Sequence, residues 1–138
     1  MSMWNGIHHI ALATANLDAT IQFYRDVLQM TISAVAPSKE GRGRHCLILV
    51  KENDEDTWGF HFFERPTVGK GAQTLAEVDP TAFLMHIAVR LRDEAAARAL
   101  RERLERVGTP ITDIPELGTF VFPDNNGIIL EATWPRTA

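Results

Sequence analysis

The sequence predicts an α+β fold made from one β-α-β-β-β plan used twice. Three observations predict it. The tripeptide His9-Ile10-Ala11 returns as His86-Ile87-Ala88, each time within an alternating, strand-like run. Each copy leads into a stretch of helical spacing and then into short strand-like segments divided by turn residues. Each half also ends on a strand with one polar residue among apolar ones: His61 in Gly59-Phe60-His61-Phe62-Phe63, and Glu131 in Ile128-Ile129-Leu130-Glu131-Ala132. Self-similarity on this scale is a statement about architecture, because the same pattern of apolar faces must find the same packing twice.

The first strand is expected over Ile7–Thr14. A period of two sets His9, Ala11 and Ala13 on one face and Ile10 and Leu12 on the other, so the alanines leave space beside His9. His8 is then expected to point away from His9 and to be structural. Asn16 is the N-cap candidate for a helix over Leu17–Gln29, with Leu17, Ile21, Tyr24 and Leu28 as its buried stripe. Strands are expected at Thr31–Ala36, His45–Lys51 and Trp58–Phe63, with the polar, glycine-rich run from Pro37 to Gly43 and the run from Asn53 to Asp56 as their connections. His45, at a strand start, reads as a rim residue, and Glu64, on the opposite parity from His61, has no assigned role. From about residue 66 to 80 the periodicity stops, and Pro66, Gly69, Gly71 and Pro80 mark a long connection.

The second half repeats the order. A strand is expected over Phe83–Leu91, with His86, Ala88 and Arg90 on one face. Asp93 is the N-cap of a helix over Glu94–Val107, whose apolar stripe is Leu100, Leu104 and Val107 and whose end is set by Gly108 and Pro110. Strands follow at Pro110–Ile114, Thr119–Phe122 and Ile128–Trp134, the last two joined by the turn Asp124-Asn125-Asn126-Gly127. The 138 residues suit a single domain, 1–138, with modules at about 5–65 and 81–135.

Composition narrows the function classes. With 45% hydrophobic and 23% charged residues the chain reads as an ordinary soluble protein, and a net charge of −4 gives no footprint for nucleic acid. A single cysteine excludes an intrachain disulfide, no apolar run approaches a membrane span, and no signal-peptide layout is present, so a cytoplasmic location is expected.

The chemistry concentrates in four residues. Imidazole nitrogens and carboxylate oxygens held on rigid strands are what a divalent metal requires. His9 and His86 occupy equivalent first-strand positions, while His61 and Glu131 both lie on the last strand of a half. A repeat that pairs its halves about a pseudo-twofold would bring all four to one ion, and an unpaired Glu131 among apolar neighbours would be costly to bury.

The run His8-His9-Ile10-Ala11-Leu12-Ala13, with Asn16-Leu17-Asp18 and Phe23-Tyr24-Arg25-Asp26-Val27-Leu28, resembles the opening of the vicinal-oxygen-chelate superfamily, which holds glyoxalase I, methylmalonyl-CoA epimerase, extradiol dioxygenases and bleomycin-resistance proteins. The run from Asp124 to Glu131 is similar to its closing turn and strand. The resemblance implies two βαβββ modules forming a half-open barrel around one divalent ion (Zn, Ni, Co, Mn or Fe(II)), and it carries the family's ligand positions onto His9, His86 and Glu131. Isomerases and lyases of the family usually hold glutamate or glutamine where this chain has His61. His61 is therefore expected as the fourth ligand, with an acid/base role beside a His9–His86–Glu131 set as the alternative. Glu131 and His61 are the expected catalytic residues, and Arg90, Phe63 and Phe122 are candidates for contacting a small oxygen-chelating substrate. The implied activity is that of an isomerase or lyase, or a ring-cleaving dioxygenase. The alternative is a bleomycin-resistance-type binding protein without catalysis, and a homodimer is expected in either case.

Overall fold

Alternating strands and capped helices assemble into two units, Met1–Val68 and Gly69–Ala138, in a computed structural model that describes residues 2–37, 43–52, 58–67 and 86–136. The connection expected at about 66–80 lies outside the described residues from 68 onward, as do the turn at 53–56, residues 38–42 of the first loop, and the start of the strand expected from Phe83.

In the first unit β1 (His9–Thr14) is followed by α1 (Leu17–Gln22), a π-helical turn (Phe23–Val27), β2 (Thr31–Ile32), β3 (His45–Lys51) and β4 (Trp58–Glu64). They form an open sheet of order β1-β4-β3-β2, in which β1 and β4 are parallel and the other pairs antiparallel. Asn16 caps α1 by accepting from the Ala19 N–H at 3.0 Å, as its side chain should. The helix does not run regularly to Gln29. The Leu28 N–H reaches back to the Phe23 carbonyl, which adds a residue to the turn, and Gln29 ends the run at φ 58°. The buried stripe is therefore Leu17, Thr20, Tyr24 and Val27, not the expected Leu17, Ile21, Tyr24 and Leu28. Tyr24 packs on Phe62 and Phe60, with ring centroids 5.4 and 5.8 Å away, and Cys46 and Ile48 complete this core. β2 is shorter than Thr31–Ala36 because the Ser33 hydroxyl accepts the Leu47 N–H and interrupts the ladder, which resumes only as a bridge between Ala36 and His45.

The second unit repeats the arrangement. β5 (His86–Arg90), α2 (Glu94–Arg106), β6 (Thr112–Ile114), β7 (Thr119–Pro123) and β8 (Ile129–Thr133) give a sheet of order β5-β8-β7-β6, with β5 parallel to β8. Asp93 caps α2 through the Ala96 N–H at 2.8 Å. At the other end Thr109 and Gly108 donate to the Leu104 and Glu105 carbonyls, a Schellman closure that needs the left-handed φ of 78° at Gly108. Val107, expected in the apolar stripe, lies past the helix at 57% exposure, and Ala97 takes its place beside Leu100 and Leu104. Leu130, Ala132, Phe120 and Phe122 are buried with them. The architecture is thus α+β, with two four-stranded mixed sheets. No helix among the described residues is long and apolar enough to cross a membrane.

Candidate metal centre

In the first unit the parallel register sets Ala11 beside His61 and His9 beside Gly59. Side-chain alternation then puts His9, Ala11 and Ala13 on one face with Gly59, His61 and Phe63, while Phe60 and Phe62 point into the core. Gly59 has no substitute here, because a Cβ would run into the Ile48 carbonyl oxygen. His9, Ala11 and Ala13 are exposed, so this face is open, and the His9 and His61 rings lie 5.6 Å apart at 68°.

Two further histidines join this face. His45, expected as a rim residue, stands half-buried at the start of β3 with its Nδ1 2.8 Å from Nε2 of His61. β3 pairs with β4 so that His45 is opposite Phe63 and Leu47 opposite His61, which places both on the His61 face. The Phe63 ring stacks on His61 at 4.3 Å and 26° and on His45 at 5.2 Å and 24°. His8 also departs from its expected outward direction, with Nδ1 2.8 Å from Nδ1 of His9. β1 begins only at His9, so His8 precedes the ladder and escapes its alternation. Burial, and then the neighbouring His45 and His9, hold the His61 pKa below the usual histidine value, which favours the neutral, ligating form.

Glu64, given no role from the sequence, fastens the end of this strand. Its Oε2 accepts the Leu17 N–H and an Arg44 Nη2 bond, each at 2.8 Å, and its Oε1 accepts from Arg44 Nε at 3.0 Å. These donors hold the Glu64 carboxyl below the ordinary glutamate range, the Arg44 hydrogen bonds first and the Leu17 N–H second.

The second unit has the same register: Ala88 lies beside Glu131, and His86 beside Ile129. Glu131 is 7% exposed, and both of its oxygens are engaged. His86 Nε2 is 3.1 Å from Oε1, and the Thr119 hydroxyl donates to Oε2 at 2.8 Å. The turn before β8 is held by Asp124, whose Oδ1 accepts the Asn126 and Ile128 N–H groups at 2.8 Å each. Arg90 shares the His86 face and is exposed. Phe122, expected among substrate contacts, pairs with Leu130 on the face opposite Glu131 and is 1% exposed. Its ring packs 6.2 Å from that of Phe120, because residues of even number on β7 turn inward. Phe122 is a core residue.

Each unit thus carries one pair of polar side chains in the same register, His9 with His61 and His86 with Glu131. Imidazole nitrogen and carboxylate oxygen fit a divalent transition metal by their chemistry. In neither unit do three or more His, Cys, Asp or Glu side chains among the described residues gather as a ligand set by themselves.

Comparison with known proteins gives a family and a fold. A model of the Glyoxalase/Bleomycin resistance protein/Dioxygenase superfamily matches residues 6–132. A solved glyoxylase/bleomycin resistance protein/dioxygenase domain from Frankia sp. EAN1pec is 17% identical, covering 96% of this chain and 99% of its own, with a TM-score of 0.70. A trypanothione-dependent glyoxalase I from Leishmania major is 17% identical, with coverages of 94% and 86% and a TM-score of 0.67. TnmS3, an antibiotic binding protein from Streptomyces sp. CB03234, is 15% identical, with coverages of 99% and 100% and a TM-score of 0.66. At these identities the likeness is one of fold. No curated protein matches the chain.

Proposed function

The chain belongs to the glyoxalase/bleomycin resistance protein/dioxygenase superfamily, and from that premise we propose that it is a divalent-metal-dependent enzyme acting on a small oxygen-chelating substrate, as an isomerase or lyase or as a ring-cleaving dioxygenase. The observation that carries the reading is the matched register of the two sheets. In each, a first-strand histidine is followed two residues later by an alanine, and the residue beside that alanine on the parallel strand is a potential ligand, His61 or Glu131.

His9, His61, His86 and Glu131 would hold the ion, which when bound supplies Lewis acidity toward the substrate's oxygens. Glu131 is oriented by the Thr119 hydroxyl and by His86. His61, with its lowered pKa, is available as a neutral donor or as a group that takes up a proton from substrate. The exposed Arg90 offers a cation to an anionic substrate group, and Phe63 offers an apolar wall beside His61. We place the protein in the cytoplasm as a homodimer that binds neither nucleic acid nor membrane.

Metal analysis of protein purified without added metal tests the reading. Iron favours the dioxygenase, whereas zinc, nickel or cobalt favours the isomerase or lyase. Glu131→Ala should lose both metal and activity, and unchanged metal affinity in that variant would refute the ligand set. The second reading is a binding protein without catalysis, supported by the full-length fold likeness to TnmS3. Tight ligand binding without turnover by the metal-loaded protein would favour it.

A further inference from the structure

We propose that His45 is a further metal ligand, presenting its Nδ1 beside Nε2 of His61 as a cis pair of imidazole donors. The inference rests on the reading that the open face of the first unit takes a divalent ion, and it adds a residue which that reading does not use.

The geometry is specific. The two ring nitrogens face each other at 2.8 Å. Two donors each about 2.0–2.1 Å from one ion lie roughly 2.9 Å apart when they subtend a right angle, and roughly 3.4 Å apart at a tetrahedral angle. The observed spacing is close to the first of these, and the lone pairs, which face each other in the hydrogen-bonded pair, would have to turn toward an ion lying beside the line that joins the two nitrogens.

Both rings are also held in place. Phe63 stacks on each at nearly the same tilt, 26° for His61 and 24° for His45. Both residues sit on paired, antiparallel strands, so neither ring depends on a loop for its position. Pre-set donors on rigid elements are what a metal site needs. Without an ion the facing nitrogens share one proton, an N–H of one ring donating to the lone pair of the other. On metal uptake that proton leaves the facing nitrogen for the far nitrogen of the same ring, and both facing lone pairs become donors. No net proton transfer to solvent is required.

The test uses the full chain. Ni(II) affinity is measured by calorimetry for wild type, His45→Gln, His45→Phe, Glu131→Ala and, as a control at an exposed residue, Leu117→Ala, with thermal melts confirming that each variant folds. Directly bound nitrogens are counted from the superhyperfine structure of the Cu(II)-loaded electron paramagnetic resonance spectrum. Both His45 variants should bind Ni(II) on the order of 10²-fold more weakly, at or beyond the upper end of the 10–100-fold loss usual for outer-shell partners. Their copper spectra should show one nitrogen fewer than wild type, and Leu117→Ala should match wild type. An unchanged nitrogen count in His45→Gln and His45→Phe would overturn the proposal, even with weakened affinity, because His45 would then only hydrogen-bond to a ligand. If Glu131→Ala keeps full affinity while the His45 variants lose it, the four-ligand reading fails and the His45 assignment stands. Absence of Ni(II) and Cu(II) binding by wild type would refute both.

Discussion

Replacing Glu64 with alanine removes three contacts at the end of the strand that carries His61. The Leu17 N–H, in the first turn of α1, loses the oxygen that accepts it at 2.8 Å. That loss resembles deletion of a helix N-cap and costs about 1 kcal/mol. Arg44 loses a two-point ion pair, but the side chains are 38% and 20% exposed, so solvent screens the interaction. Its share is about 0.5–1 kcal/mol. Glu64→Ala should therefore destabilise the protein by about 1.5–2 kcal/mol and lower Tm by roughly 5 °C. An Arg44→Met, Glu64→Ala cycle should return the ion-pair share as its coupling energy. The acid dependence is a second check. The Glu64 pKa is depressed in the folded protein, so its contribution is present above the unfolded carboxyl value near about 4.3 and disappears as pH falls through the folded value. Thermal melts of wild type and variant should differ at pH 7 and converge on acidification below about pH 4. Equal melting points at pH 7, or a gap that survives acid, would refute the argument.

Leu104 is fully buried on α2, and Leu104→Ala should cost about 2–5 kcal/mol by chemical denaturation, whereas Leu117→Ala, at 60% exposure, should change stability little. His61→Ala separates two roles: a ligand's loss should sharply weaken metal affinity under limiting metal, while an acid/base group's loss should leave the metal bound and reduce turnover by about 10²–10⁴-fold. Because the folded His61 pKa is lowered, the unfolded chain binds more protons there, so the metal-free protein should lose stability as pH falls through about 6.5. His61→Gln should lose less over that interval, and an identical pH profile would count against the shift. Sedimentation at micromolar concentration should give the mass of two chains, and the mass of one would exclude the dimer.

The period-two and helical patterns, the caps Asn16, Asp93 and Gly108, and the turn at Asp124–Gly127 were legible in the residues alone. Each is a local preference written within a few positions, and the repeat then set the order β-α-β-β-β in both halves. The faces that group His9 with Ala11 and Ala13, and His86 with Ala88 and Arg90, were legible for the same reason. The place of His45 was not. Lys51 pairs with Trp58 but Leu49 with Gly59, so a bulge between Leu49 and Lys51 shifts the register of β3 by one residue. Without that shift, His45 would stand opposite Glu64 and face the core side. With it, His45 stands opposite Phe63 and meets His61. A one-residue slip inverts every side chain of a strand, and its position is decided by which pairing buries Cys46 and Ile48 against Tyr24, Phe60 and Phe62. The same holds for the extra residue in the turn after α1 and for the ion pair of Glu64, whose partners are distant in sequence. Local pattern determined the elements and the faces of the candidate ligands, and long-range packing alone decided the registers that bring His45 to His61 and Arg44 to Glu64.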